Sequence, residues 1–161
     1  MHQFRRRTYE SLREMAGDLL WPLRHRTQIR QAMRGGLVSP QFRERLMMVV
    51  TAVNECRYCA YYHARESERV GLPKSEIRAL LAGDLVNAPE EELPALLYAQ
   101  GFAERNGRFD PTAHHSLQTT YGPTRAATIE TVLHLIRTGN LLGNTTDWLI
   151  FKLSLGHWGG A

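Results

Sequence analysis

Glycine and proline divide this chain into segments of helical length, and within the segments apolar residues recur three or four positions apart. That period matches the 3.6 residues per turn of an α-helix, whereas a half-buried strand alternates apolar and polar residues strictly. No stretch of the chain sustains such an alternation. The sequence therefore predicts an all-α fold whose helices begin and end near the glycines and prolines.

The first half of the chain contains four predicted helical segments. Each is bounded by glycine, which favours a helix C-terminus, or by proline, which fits the first helical turn. Ser39 and Pro40 match an N-cap followed by a first-turn proline. The predicted segments run from about Thr8 to Met33 with an interruption near Pro22, from Pro40 through Val53, from Cys56 to Val70, and from Pro73 to Gly83.

The second half continues in the same way, with three further helices and a last apolar segment over 148–155. Two Gly-Asn pairs, Gly139-Asn140 and Gly143-Asn144, predict a break before that segment. The three predicted helices run from Pro89 to about Asn106 with truncation or bending at Pro94, from Asp110-Pro111 to near Gly122, and from Thr124 to about Arg137.

Length and composition indicate one globular domain with a single compact core. The chain has 161 residues, of which 43% are hydrophobic and 22% charged, and these values are ordinary for a folded domain. We find neither an apolar run long enough to cross a bilayer nor an apolar signal core after the first residues. We therefore expect a cytoplasmic protein with no membrane partner.

The net charge of +4 comes from the N-terminal part of the chain. Residues 1–34 hold eight arginines and three acidic residues, and the remainder is close to neutral. A basic arm can bind nucleic acid, but Arg5, Arg6 and Arg7 form a short run without the interleaved aromatic residues of a single-strand platform. We therefore expect no nucleic-acid partner, and interpret these arginines as solvated helix faces and intersubunit contacts.

The two cysteines of the chain lie in one short motif, Cys56-Arg57-Tyr58-Cys59-Ala60-Tyr61-Tyr62-His63. Because a cytosolic protein rarely keeps a structural disulfide, C-x-x-C spacing indicates a catalytic or metal-binding pair. Positions three and four apart share one face of a helix. The sequence therefore predicts that Cys56, Cys59 and His63 can contact one another.

This arrangement suits thiol redox chemistry. The positive end of a helix dipole favours a thiolate and lowers the pKa of a cysteine. A neutral imidazole beside Cys59 can take its proton, and a carboxylate behind the imidazole can orient it. Two carboxylates are candidates for that role, Glu55 next to Cys56 and Glu44 on the preceding helix. Spacing alone does not choose between them.

Three other interpretations of the motif are weaker. A zinc site needs a fourth ligand, which has to come from a distant histidine, His114, His115, His134 or His157. Covalent haem attachment needs a histidine directly after the second cysteine, where Ala60 stands. Two thiols buried as small hydrophobic groups leave the spacing unexplained. We therefore predict no metal and no cofactor.

The motif resembles the signature of the AhpD-like (alkyl hydroperoxidase D) branch of the carboxymuconolactone decarboxylase superfamily. In that signature a glutamate on one helix precedes a C-x-x-C-x-x-x-H run that opens the next, and here eleven residues separate Glu44 from Cys56. The likeness continues through segments 64–71, 72–77, 96–99 and 128–140. It covers about residues 38–150.

The resemblance implies an AhpD-like helical domain with an oligomer-forming surface, assembled into trimers or hexamers. Residues 38–161 correspond to the family's helical core, and residues 1–37 to its more variable entry helices. The two parts form one structural domain.

The resemblance also implies thiol-dependent reduction of alkyl hydroperoxides. Cys59 is then the attacking thiol, Cys56 the resolving one, and Glu44 with His63 the proton relay that deprotonates Cys59. The implied partners are a hydroperoxide substrate and a dithiol reductant, either a thioredoxin-like or a lipoyl protein. Two alternatives are a redox-sensing oligomer without turnover and an acid–base lyase of the decarboxylase type.

One position departs from the family pattern. Tyr58 precedes the second cysteine, where the best-known peroxidase members have histidine. A phenol has a pKa near 10, so it is a poor base at neutral pH but can donate a hydrogen bond. Elsewhere, we interpret His114-His115 as surface residues and the aromatic residues near the C-terminus as subunit interface.

Overall fold

A computed structural model of the protein describes residues 4–155 and 157–159. Over those residues it consists of α-helices and contains no strand, which confirms the all-α prediction. The helices are α1 (Leu12–Arg24), α2 (Arg26–Arg34), α3 (Pro40–Asn54), α4 (Arg57–Arg69), α5 (Lys74–Leu81), α6 (Leu93–Glu104), α7 (Pro111–Tyr121) and α8 (Pro123–Leu153).

Most helix starts lie where capping residues predict them. The Ser39 hydroxyl accepts a hydrogen bond of 3.1 Å from the backbone N–H of Phe42, and Pro40 is the first helical residue of α3. At the start of α7 the Asp110 carboxylate accepts one of 2.9 Å from Ala113. Each such bond satisfies a backbone donor that the helix leaves unpaired, and contributes about 1 kcal/mol.

One predicted helix start is wrong. The first helix begins at Leu12 instead of Thr8, because Ser11 provides the N-cap and residues 4–11 run without helical structure. The chain then breaks at His25, close to the predicted interruption at Pro22. Helix α6 begins at Leu93, so the segment predicted from Pro89 is truncated at Pro94, since Pro94 has no N–H to donate and so fits the first helical turn.

The predicted break after Arg137 is also wrong. Helix α8 is continuous over 31 residues and passes through both Gly-Asn pairs. Asn140 and Asn144 are completely buried, and their side chains hydrogen-bond to α3. Tertiary contacts therefore compensate for the low helix propensity of these residues.

Helix α3 forms the centre of the molecule. It packs against α8, α6, α4 and α5, and its apolar side chains fill the core together with those of α6 and α8. The largest fully buried core side chains include Phe42, Leu46, Met48, Leu96, Phe102, Ile129 and Leu133. The C-terminal end of α3 and the start of α4 consequently lie against the middle of α8.

The N-terminal helices are attached to the same long helix. Both α1 and α2 pack on α8, so residues 12–34 cover one side of it. The boundary between residues 37 and 38 that the sequence suggests stays a prediction. In the described part of the chain, no helix has the length and apolar character needed to cross a membrane.

Candidate active site

The cysteine motif begins at a tight junction between two helices. Helix α3 ends at Asn54, Glu55 adopts a left-handed conformation with a φ of 55°, and Cys56 is the N-cap of α4. Left-handed backbone reverses the chain direction at a helix end. Because only two residues separate the helices, the junction fixes both cysteines in the first turn of α4.

The two cysteines are joined by a disulfide bond, with their Cα atoms 5.3 Å apart. The backbone N–H of Cys59 donates a hydrogen bond of 3.4 Å to the sulfur of Cys56. Cys56 is only 1% exposed, whereas Cys59 is partly exposed. Cys59 is therefore the more accessible residue of the pair.

Glu44 and His63 lie together, as the interpretation of the motif expects. His63 Nδ1 donates a hydrogen bond of 2.8 Å to Glu44 Oε2, and both side chains are largely buried. A carboxylate bound to Nδ1 favours the tautomer in which Nε2 is unprotonated and able to accept a proton. Glu55, the alternative carboxylate, is exposed and has no hydrogen bond to His63 in the described structure.

An apolar cleft of about 520 Å³ opens at Cys59. Cys59 and His63 are in its wall, and the other residues there are uncharged. They come from four helices, α2, α3, α4 and α8, and are Ile29, Met33, Met47, Tyr58, Tyr62, Leu135, Ile136, Gly139 and Gly143. The cleft can thus hold an apolar organic molecule next to a thiol and an imidazole.

A second cleft, of about 500 Å³, lies on the Cys56 side of the junction. Cys56, Glu55 and Arg57 contribute to its wall, together with residues from α3, α4, the end of α5 and α6. Glu55 and His63 therefore face different clefts, which explains why only Glu44 can serve as the partner of His63.

Comparison with protein families places this site in context. The model of the carboxymuconolactone decarboxylase family matches residues 20–104, which is more than half of the chain. The chain belongs to the carboxymuconolactone decarboxylase family. Comparisons with curated proteins and with solved structures gave no significant match. The family match contains Glu44, both cysteines and His63, whereas α8 lies outside it.

Helix α8 supplies the floor of this family member's site, which the sequence interpretation missed. Gly143 lies directly under the disulfide: a Cβ atom there would be 2.9 Å from the sulfur of Cys56 and 3.9 Å from that of Cys59. The distance of 2.9 Å to the Cys56 sulfur is shorter than a van der Waals contact, so a side chain at this position would displace the disulfide. The repeat of Gly-Asn at four-residue spacing is the sequence signal for this floor.

The asparagines of the same repeat hold the end of α3 in place. Asn140 donates a hydrogen bond of 3.1 Å to the Thr51 hydroxyl and accepts one of 3.1 Å from Asn54. Asn144 donates a hydrogen bond of 2.7 Å to the backbone carbonyl of Asn54. All four residues are buried, so these bonds form a polar network with no competition from water.

Replacing Gly143 by alanine should shift the cysteine pair towards the dithiol. The added methyl group collides with the sulfur of Cys56 in the disulfide, and such overpacking costs about 1–3 kcal/mol. In the dithiol the Cys56 side chain can rotate away from the methyl group. We therefore expect the equilibrium with dithiothreitol to move by about tenfold, since 1.4 kcal/mol is a factor of ten.

Gly139→Ala is the matched control, because nothing lies within 4 Å of a Cβ atom at that position. It should gain about 0.5–1 kcal/mol of helix stability and leave the equilibrium unchanged. Mass spectrometry of alkylated protein in dithiothreitol buffers measures both variants. Equal shifts for the two alanines would show that Gly143 has no specific role beneath the disulfide.

Two other histidines, His114 and His134, lie beside carboxylates outside the cysteine motif. His114 Nδ1 donates to Glu130 at 2.6 Å, and His134 Nε2 lies 3.5 Å from Asp18. Burial lowers the pKa of His134 below its ordinary value and so favours its neutral form. Neighbouring His115 is exposed, as expected. Among the described residues, no group of three or more metal-ligating side chains is present.

Proposed function

We propose that this member of the carboxymuconolactone decarboxylase family is a thiol-dependent peroxidase that reduces organic hydroperoxides. The supporting observation is the asymmetry of the cysteine pair. Cys59 is partly exposed and lies in the wall of an apolar cleft together with His63, which binds Glu44, whereas its disulfide partner Cys56 is buried. These are the parts that a two-cysteine peroxidase requires.

In the proposed first step, His63 Nε2 accepts the proton of the Cys59 thiol. The thiolate attacks the terminal oxygen of the hydroperoxide, and the O–O bond breaks. Cys59 becomes a sulfenic acid, and the alkoxide takes the proton from His63 and leaves as an alcohol. Glu44 orients the imidazole and stabilises its charged form during the transfer.

In the second step, the Cys56 sulfur attacks the sulfenic sulfur of Cys59. The S–O bond breaks, the disulfide forms, and hydroxide leaves as water after it takes the thiol proton of Cys56. The 5.3 Å between the Cα atoms is a normal separation for a disulfide. This step therefore needs little movement of the backbone.

A dithiol reductant then regenerates the enzyme. It attacks Cys59, because this sulfur is the accessible one, and Cys56 leaves as a thiolate. The N–H of Cys59 and the positive end of the α4 dipole stabilise that leaving group. The second thiol of the reductant closes its own disulfide and releases Cys59. A thioredoxin-like or lipoyl protein in the cytoplasm would supply the dithiol.

Turnover with a simple dithiol tests this proposal. Reduced protein, cumene hydroperoxide and dithiothreitol are mixed, and hydroperoxide is measured over many equivalents. Continued consumption that the Cys56→Ser/Cys59→Ser variant lacks supports the peroxidase. Stoichiometric consumption that then stops would indicate a redox sensor instead. Lyase activity that persists in the double variant would indicate the acid–base chemistry of other family members.

We also propose that the protein is a homo-oligomer, a trimer or a hexamer. Large apolar side chains are exposed near the C-terminal end of α8, where Leu149, Leu153, Leu155 and Trp158 are found. Exposed apolar side chains of this kind are common in subunit interfaces. Sedimentation equilibrium should give three or six times the mass of 18.4 kDa, and a monomer would contradict the proposal.

A further inference from the structure

A buried carboxylate next to the cysteine motif binds three side chains. Asp147, on α8, is fully buried. Its Oδ1 accepts hydrogen bonds from the Tyr58 hydroxyl at 3.0 Å and from Arg57 at 2.8 Å, and its Oδ2 accepts one of 2.6 Å from Arg6. The proposed mechanism uses none of these groups.

Tyr58 connects this carboxylate to the cleft at Cys59. It precedes Cys59 in the chain and its ring forms part of the cleft wall. The ring and the sulfur of Cys59 both approach Gly143, at 3.8 Å and 3.9 Å from a Cβ built there. Tyr58 is 49% exposed, so packing alone does not fix its ring. Its hydroxyl also accepts a hydrogen bond of 3.1 Å from Arg57, whose guanidinium lies 4.9 Å from the ring centroid. Because Asp147 binds both Arg57 and the Tyr58 hydroxyl, the carboxylate holds this pair in position.

Arg6 belongs to an N-terminal arm, residues 4–11, which lies along α8. The backbone carbonyl of Arg7 accepts a hydrogen bond of 2.9 Å from Asn144, and the N–H of Tyr9 donates one of 3.2 Å to Thr145. Arg6 also donates to the carbonyl of Gly159. The arm is therefore fixed at several points, and it delivers a cation to Asp147 from outside the family match.

We propose that Asp147 and Arg6 are positioning residues that hold Tyr58 in the wall of the Cys59 cleft, and that Tyr58 selects bulky apolar hydroperoxides over hydrogen peroxide. This inference rests on the proposed peroxidase function. A bulky substrate contacts the tyrosine ring when its O–O bond reaches Cys59. Hydrogen peroxide is too small to fill a cleft of about 520 Å³. Contact with the Tyr58 ring therefore does not stabilise its binding.

The balance of charges at Asp147 makes the position of Tyr58 depend on Arg6. With Arg6 present, one guanidinium binds each carboxylate oxygen, and the Tyr58 hydroxyl needs to share only Oδ1 with Arg57. Without Arg6, Oδ2 is left buried beside a single cation. An unpaired buried oxygen of this kind is costly, so Arg57 and the carboxylate will rearrange to satisfy it. That rearrangement takes the acceptor away from Tyr58.

The test uses Arg6→Gln with Arg5→Gln as the matched control. Arg5 lies on the same arm and is exposed, so both changes remove one positive charge. We expect Arg6→Gln to lower kcat/KM for cumene hydroperoxide about tenfold, an effect in the range of a lost wall contact. The value for hydrogen peroxide should stay within about twofold. Equal losses for both substrates, or an equal effect of Arg5→Gln, would overturn the proposal.

Tyr58→Phe keeps the ring, removes the hydroxyl and imposes little strain on the fold. If Arg6 acts through Tyr58, this variant shows the same change in substrate preference as Arg6→Gln. The double variant Arg6→Gln/Tyr58→Phe then shows no further change, because the two residues belong to one network. Additive effects of the two substitutions would contradict the proposed connection.

Alkylation of the reduced protein provides a readout that does not depend on peroxidase activity. N-phenylmaleimide is bulky and apolar, whereas iodoacetamide is small, and both modify the thiolate of Cys59. The ratio of their rates should fall about tenfold in Arg6→Gln and Tyr58→Phe. A changed ratio in a protein that reduces no hydroperoxide would support the positioning role and disprove the peroxidase, while an unchanged ratio would disprove the positioning role.

Discussion

Replacing Cys59 by serine will abolish the reduction of hydroperoxides, with a loss of at least about a thousandfold in kcat/KM. Cys59 is the more exposed cysteine of the pair, and it lies in the same cleft as His63. A serine hydroxyl is hardly ionised at neutral pH and does not cleave the O–O bond. Stopped-flow measurement of cumene hydroperoxide consumption by the reduced variant tests this expectation.

Cys56→Ser is the natural comparison, because it removes the buried cysteine only. This variant should react with one equivalent of hydroperoxide and stop at the sulfenic acid of Cys59, since no second thiol can displace the hydroxyl group. Trapping with dimedone, followed by mass spectrometry, identifies the modified residue. Dimedone on the remaining cysteine of Cys59→Ser, or full turnover by that variant, would reverse the assigned roles.

Replacing His63 by glutamine should lower kcat/KM by about 10²–10⁴-fold at neutral pH, which is the usual contribution of a general base. Glutamine can still donate a hydrogen bond to Glu44, so the buried carboxylate keeps a partner. It cannot accept the proton of Cys59. The loss should become smaller above pH 8.5, the ordinary pKa of a thiol, because the thiol then ionises without a base.

Glu44→Gln should produce a smaller loss in the same direction. The amide oxygen can still accept the hydrogen bond of His63 Nδ1, which is 2.8 Å from the carboxylate, but it no longer stabilises a positive imidazole.

The matched control for His63→Gln is His115→Gln, which removes a histidine at an exposed position. A pH profile of His63→Gln parallel to that of the wild type would show that His63 does not act as the base.

Local sequence signals predict the parts of the fold that local interactions determine. Ser39 and Asp110 begin helices where a side-chain cap is available, and Gly71 and Gly83 end segments as expected. The cysteine motif predicts its own geometry in the same way, because three- and four-residue spacing on one helix fixes which side chains share a face.

Long-range contacts account for what the sequence could not show. The propensities of Gly139 and Asn140 favour a break, but Asn140 binds Thr51 and Asn54 on a helix almost ninety positions earlier. Adjacency to Cys56 made Glu55 a candidate as good as Glu44, yet the left-handed turn at Glu55 directs it to another cleft. Asp147 carried no signal at all, because its partners Arg6, Arg57 and Tyr58 lie 141, 90 and 89 positions earlier in the chain.

Counting thiols before and after one equivalent of cumene hydroperoxide tests the central claim most directly. Wild-type protein is first reduced with dithiothreitol and freed of it, and thiols are then titrated with Ellman's reagent under denaturing conditions. We predict that the wild type loses both thiols, whereas the single thiol of Cys59→Ser persists. A wild-type thiol count that the hydroperoxide leaves unchanged would contradict the assignment of Cys56 and Cys59 as a redox pair.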